Sequence, residues 1–247
     1  MFPVLQLGPL ALQLPGLLTL LGIWVGINLI EREAPRRKLP AGTLSNMVFF
    51  SLLGGIAGAR LGYALGFVEV YAKDPLGLIS LNPHTLAPFE GAVVALIVAL
   101  IYGQRRHLPL YPTLDAFTPG LASIAIFLGL ANISSGDAFG APTKVPWAID
   151  LWGASRHPSQ IYETIAAALI FLVIQRLKSR SPFPGFIFTL WILLTSIGRL
   201  FFEAFRGDSL LIFDGLRSAQ VVSLVFAVGA MLGFHLLARR QHSADAS

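Results

Sequence analysis

Of 247 residues, 55% are hydrophobic and only 13% charged, and the mean hydropathy is +0.70. A soluble domain averages about 25% charged residues, so a soluble protein is excluded and a polytopic membrane protein is expected. Cysteine is absent, which excludes disulfides, a thiolate metal site and a cysteine nucleophile within the chain. The formal net charge of +5 reads here as basic loops at one membrane face, and no nucleic-acid partner is expected.

In chain order, apolar segments near the roughly 20 residues needed to cross a hydrocarbon core run over about 10–30, 45–68, 89–103, 114–134, 159–176, 185–205 and 217–238. They predict an all-α integral membrane protein with seven transmembrane helices. Residues 1–238 are expected to form a single polytopic membrane domain, and 239–247 a short cytoplasmic tail. The third segment is short and is expected to extend at its ends. The first lacks a basic stretch before it and a small-residue cleavage site after it, so it reads as a retained span.

The loops supply an orientation. Arg32, Arg36, Arg37 and Lys38 follow the first segment, Arg105 and Arg106 the third, Arg176, Lys178 and Arg180 the fifth, and Arg239 and Arg240 the last. The opposite loops carry fewer cations, Lys73, Lys144, Arg156, Arg206 and Arg217, interleaved with Glu69, Asp74, Asp137, Asp150, Asp208 and Asp214. The positive-inside rule then places the N-terminus outside and the C-terminus in the cytoplasm.

Against this topology most strongly polar positions fall toward the outer leaflet. Arg60 ends a small-residue run, Gly54-Gly55-Ile56-Ala57-Gly58-Ala59, whose glycines suit close helix packing; Arg60 itself either snorkels or binds a ligand. His157-Pro158-Ser159-Gln160-Ile161-Tyr162-Glu163 opens the fifth span. Proline is tolerated there because the first turn has no backbone bond to lose, and Gln160 and Glu163, three apart, share one face. Arg199, Glu203 and Arg206 close the sixth span on one helical face. They read either as an ion-pair ladder or as a site with a spare positive charge. Asn132 and Asp137 end the fourth span, Glu90 opens the third and Gln13 the first. Asp115, at the cytoplasmic start of the fourth span, is expected to cap that helix. Of the histidines, His157 serves as a helix-start hydrogen-bonding group or as a proton acceptor near neutral pH. His84 and His107 lie in loops, and His235 and His242 near the cytoplasmic end.

The outer cluster would form a cationic, carboxylate-braced cavity suited to an anionic lipid headgroup, because guanidinium forks match phosphate oxygens. From the residues alone three readings stay open: a transferase acting on an anionic phospholipid, a transporter or channel, and a non-catalytic lipid-binding protein. Charges do not continue toward the inner leaflet and no internal repeat is evident, which speaks against transport.

The chain resembles the prolipoprotein diacylglyceryl transferase family. The motifs that carry the resemblance are Leu7-Gly8-Pro9-Leu10-Ala11-Leu12 with Gly16-Leu17, Arg60-Leu61-Gly62-Tyr63 followed by Asp74-Pro75, and His157 to Glu163. Arg199 with Glu203, Arg206-Gly207-Asp208, and Ser218-Ala219-Gln220 in the slot of the family's usual Gly-Gln complete the set. The resemblance implies transfer of the diacylglyceryl group of phosphatidylglycerol to the lipobox cysteine of prolipoprotein signal peptides, by a multi-pass protein of the bacterial cell (inner) membrane surrounded by membrane lipid. No cofactor and no metal are expected. Arg199, Glu90 and His157 are the catalytic candidates; Arg60, Asn132, Gln160, Glu163, Glu203 and Arg206 are the substrate-binding candidates.

The sequence also departs from the family pattern. Gln13-Leu14-Pro15 stands where a tyrosine is usual, and Glu90-Gly91-Ala92 where the third span usually opens His-Gly-Gly. Gly129 stands in place of a signature arginine, while Asn132 is retained and Asp137 replaces a glutamate. Glu90, if buried, would take the thiol proton. The departures keep a second reading open: a diverged or inactive member that binds an anionic phospholipid or uses another acceptor.

Overall fold

The computed structural model describes residues 4–7, 10–79, 85–212 and 215–245. Gly8, Pro9, His84 and Asp214 lie outside the described residues.

An antiparallel hairpin comes first, β1 (Val4–Leu7) and β2 (Leu10–Gln13). The helices α1 (Leu14–Glu33), α2 (Ala41–Gly66), the short α3 (Val68–Lys73), α4 (Pro88–Arg105) and α5 (Leu110–Ser135) follow. A second hairpin, β3 (Ile149–Leu151) with β4 (Ala154–Arg156), precedes α6 (Ser159–Leu177) and α7 (Phe186–Phe202). The pair β5 (Leu211–Ile212) and β6 (Leu216–Arg217) leads into α8 (Ser218–Asp245). Among the described residues, all helices except α3 are long and apolar enough to cross a membrane, 7 in number. Leu20, Trp24, Leu65, Phe89, Val225 and Met231 are among many large apolar side chains exposed on their surfaces, as lipid-facing surfaces require. The chain is a multi-pass membrane protein.

Two boundaries differ from the sequence expectation. Residues 10–13, assigned to the first span, form β2, and α1 begins at Leu14; Pro15 lies in its first turn, where its missing N–H costs nothing. At the other end α8 continues through the basic pair Arg239 and Arg240 to Asp245.

The described residues form two compact units, one reaching Glu33 and resuming at Leu114, the other spanning Ala34–Thr113. In the second, α2 packs on α4 through its glycines. A Cβ on Gly58 would lie 2.5 Å from Val94 Cβ, and one on Gly91 would lie 2.8 Å from the Gly55 carbonyl. Main chains this close gain dispersion contact that larger side chains would prevent, and lipid supplies no hydrophobic drive to replace it.

In the first unit, α1 and α5 approach in the same way, a Cβ on Gly120 falling 2.6 Å from the Gly26 carbonyl. Phe183, Phe186 and Phe234 stack edge to face between the start of α7 and α8. Asp115 is fully buried and caps a helix other than its own. Its Oδ2 accepts the Gly185 N–H at 2.8 Å and its Oδ1 the Phe188 N–H at 3.0 Å, both at the N-terminus of α7. The expected cap on α5 is therefore corrected, because α5 starts at Leu110 and leaves Asp115 in its second turn. Capping from another helix serves the same need: the first N–H groups of a helix have no partner within it.

Asp115→Ala is predicted to destabilise the protein by about 2 kcal/mol, the cost of an N-cap whose donors stay buried. Asp115→Asn is predicted to retain more of this, since its amide oxygen still accepts a bond. Thermal unfolding in detergent should rank wild type, Asn and Ala in that order.

Candidate active site

The site is built where the start of α6 meets the end of α7, and a loop brings them together. Gly136 (φ 85°) ends α5 in the left-handed region, its N–H bonded to the Asn132 carbonyl at 2.9 Å, as a glycine C-cap does. The chain then runs past the α7 terminus. The Ala141 N–H donates to the Phe205 carbonyl at 2.8 Å and the Gly207 N–H to the Phe139 carbonyl at 2.9 Å. On the other side the His157 N–H donates to the Ala141 carbonyl at 3.0 Å. Gly140 and Gly207 are needed here: a Cβ on Gly140 would run into the His157 carbonyl, and one on Gly207 would lie 2.6 Å from the Gly140 carbonyl. One strand of loop thus ties residue 157 to residues 205–207.

This closure sets Glu163 between two guanidiniums. Its carboxylate accepts Arg199 Nη1 at 3.2 Å to each oxygen, and Arg206 Nη1 at 3.2 and 3.3 Å. Arg199 Nη2 lies 2.9 Å from Glu203 Oε2, and Arg206 Nε 4.0 Å from the same oxygen. Glu203 is almost fully buried, so these cations offset much of the cost of keeping it in an apolar setting. Arg206 holds Asp208 bidentately, Nε to Oδ1 at 2.9 Å and Nη2 to Oδ2 at 2.7 Å. Burial works against the Arg206 charge, but the Asp208 hydrogen bond and the fields of Glu163 and Asp208 outweigh it, so its pKa is raised above the ordinary arginine value. The stabilisation contributed by the Arg206 charge is therefore complete at neutral pH and is lost as pH rises into strongly alkaline solution.

The spare positive charge expected from the spacing along α7 is not present. Glu163 from α6 and Asp208 beyond α7 join Glu203, so Arg199 and Arg206 face three carboxylates. Spacing on one helix could not reveal a partner on another.

A cavity of about 240 Å³ opens beneath the network. Asn132, Glu163, Arg199 and Phe202 line its polar end, and the Arg199 side chain is 34% exposed, enough to reach a ligand. Lower walls come from Gly129, Ala166, Ala167, Thr195 and Gly198, and the far end from Ala122, Ile170 and Trp191. At Gly129, where the family pattern has arginine, a Cβ would collide with the Thr164 hydroxyl; the departure allows α5 and α6 to touch.

Other candidates lie elsewhere. His157 does not line the cavity. Its ring stands edge-on to Phe205 at 5.2 Å and 6.3 Å from Tyr162, and its buried Nδ1 has no hydrogen-bond partner among the described residues. Gln160 is 1% exposed, and neither amide atom has a partner among the described residues. Arg60 and Glu90 belong to the second unit. Arg60 is buried and donates through Nη1 to the Thr85 carbonyl at 2.8 Å and to the Thr85 hydroxyl. Glu90 is exposed, with its Cβ and Cγ over Gly62, so the burial on which its role as proton acceptor was conditioned is absent.

The sequence did not single out Arg217 as a site residue. Its Nη1 donates to the carbonyl of Arg206 at 2.9 Å, to Ser209 Oγ at 3.1 Å and to the Glu203 carbonyl. It thereby holds the chain where α7 tightens into a 3-10 turn over Glu203–Phe205 and ends, adding a charged donor to the Glu203 carbonyl that already accepts the Arg206 N–H. Arg217→Ala is predicted to destabilise by about 2 kcal/mol, since three charge-assisted bonds are lost. The unfolding midpoint in detergent measures it, and an unchanged midpoint would contradict this role.

A family model described as prolipoprotein diacylglyceryl transferase matches residues 3–236. Among curated relatives, one from Finegoldia magna is 30% identical over 218 residues, covering 88% of this chain and 88% of its own. One from Synechococcus elongatus is 30% identical, covering 93% and 85%, and one from Gloeobacter violaceus is 31% identical, covering 98% and 95%. All three bear the name phosphatidylglycerol–prolipoprotein diacylglyceryl transferase.

Proposed function

The chain belongs to the prolipoprotein diacylglyceryl transferase family, and from that premise we propose that it transfers the diacylglyceryl group of phosphatidylglycerol to the lipobox cysteine thiol of prolipoproteins. The observation that carries the reading for this chain is Arg199: a guanidinium braced by Glu163 and Glu203, part-exposed at the polar end of an apolar cavity. In the reaction the thiol sulfur forms a bond to the glyceryl carbon. The bond from that carbon to the phosphate oxygen breaks, glycerol phosphate leaves with the bonding electrons, and the thiol proton passes to a base. Arg199 binds the phosphate and offsets the charge that builds on it. Two of its edges are already fixed by carboxylates, so it presents its remaining donors without reorganising. Arg206, Glu163 and Glu203 orient it, and Asn132 hydrogen-bonds the headgroup.

Gln160 is a further substrate-binding residue, because a buried carboxamide gains most from a ligand that satisfies it. Arg60, in the second unit, is a phosphate-binding candidate on its motif Arg60-Leu61-Gly62-Tyr63 alone. His157 is the candidate proton acceptor; Glu90, exposed in the second unit, lacks the burial that the role requires. The nucleophile arrives with the substrate, in keeping with a chain that has no cysteine. The protein resides in the bacterial inner membrane with its N-terminus outside, and the cavity opens toward the outer leaflet.

Arg199→Ala is predicted to abolish the lipid mass shift on a lipobox peptide, a loss of at least about 100-fold for removal of a charge-stabilising donor, while membrane insertion is unaffected. Activity at the wild-type level would sink the assignment. If the wild type inserts in cells depleted of their own enzyme but lipidates nothing, the lipid-binding reading prevails. Orientation has its own check, simplified by the cysteine-free background. Lys144→Cys should react with an impermeant maleimide from outside, and Arg180→Cys only after the membrane is opened.

A further inference from the structure

We propose that the cavity of the first unit is a groove for one acyl chain of the lipid, and that Trp191 limits the chain length it accepts. The inference deepens the transferase reading and rests on it for the identity of the headgroup. Its basis is the distribution of polarity along the cavity. Charged groups and the Asn132 carboxamide occur only at one end; beyond them Ala166, Ala167 and Gly198 leave a furrow because they carry little or no side chain. At Gly198 a Cβ would meet nothing nearer than Ile170 Cδ1 at 4.0 Å, so this space is open rather than filled by a neighbouring helix. From Arg199 to Trp191 is eight residues of α7, or about 12 Å of depth. A polar end joined to a narrow apolar furrow matches the junction of a phosphate headgroup and a linear hydrocarbon tail.

A peptide is the poorer occupant. Its main-chain N–H and C=O groups would enter a space where, beyond the polar end, the side chains offer only the Thr195 hydroxyl and the Trp191 indole N–H. Unsatisfied peptide groups in such a setting are costly. A hydrocarbon chain makes no such demand. At the far end Trp191 is the largest side chain in the lining, with Ile170 and Ala122 beside it. Phe188 packs behind the indole, ring centroids 5.9 Å apart. A chain long enough to reach this end meets a braced ring.

Native mass spectrometry of the full-length protein in detergent tests the groove directly. The probe is an equimolar mixture of dilauroyl- and distearoyl-phosphatidylglycerol, and the readout is the ratio bound. Wild type should favour the shorter lipid. Trp191→Ala should move the ratio toward the longer one by about threefold or more, a modest value for the fit of methylenes in an apolar pocket. Trp191→Phe, a milder change, should move it part of the way, and Ala167→Leu, which fills the middle of the furrow, should lower retention of both lipids. The same ratio and retention in wild type and all three variants would overturn the proposal. Lipid transfer to a lipobox peptide, measured in parallel, separates the two readings. A shifted ratio without transfer by wild type would overturn the transferase assignment and leave the groove standing. Transfer with unshifted ratios would do the reverse.

Discussion

The carboxylate of Glu163 is the contact on which the site depends. It lies on α6, yet both guanidiniums it receives, Arg199 and Arg206, belong to α7 and the turn beyond it. Removing Glu163 would take away the carboxylate that both guanidiniums share, leaving Arg199 with Glu203 and Arg206 with Asp208, and lost compensation is costly in a largely apolar medium. The network therefore demands that the first turn of α6 and the last turn of α7 hold one relative position, and much of the first unit can be understood as meeting that demand.

Backbone, not side-chain bulk, supplies the positioning. Residues 139–141 bond to residue 157 on one side and to residues 205–207 on the other, and they fit only because Gly140 and Gly207 carry no Cβ. Arg217, arriving from β6, holds the carbonyls at the end of α7. At the opposite end of α7, Asp115 secures the N-terminus from α5. The helix that carries Arg199 is thus fixed at both termini by residues of other elements, Asp115 of α5 and Arg217 of β6, which suits a group that must be preorganised.

Charge balance gives the cavity its character. With Asp208 and Glu163 included, the cluster carries no surplus of positive charge: two guanidiniums face three carboxylates, and one guanidinium is partly accessible. A phosphate approaching Arg199 would then be recognised by the direction of the remaining donors more than by a long-range field, which is the geometry in which arginine differs from lysine. Below it, the lining is mostly apolar, small at Ala166, Ala167 and Gly198 and larger at Ile170 and Trp191, so polarity falls away within about two helical turns of the ion pairs.

Much was legible in the sequence because it depends on short-range properties. Apolar length set the seven spans to within a few residues, and glycine runs marked the close packing in α2. The motifs around Glu163 and Arg199 identified the family, since motif and order survive without coordinates. What sequence spacing could not contain was the pairing between elements. It assigned Asp115 to its own helix and left one charge of the Arg199 ladder unmatched, because partners on α7, α6 and the loop beyond α7 are remote along the chain or off the helical repeat. Arg217 stood out only as a loop cation, and Trp191 as one more apolar residue of a span. Their places at a helix terminus and a cavity end follow from how α7 is held against its neighbours. Chain-local chemistry determined the class, the spans and the candidate residues; the tertiary structure alone decided which charges meet, because ion pairs act over a few ångströms of space and not along the sequence.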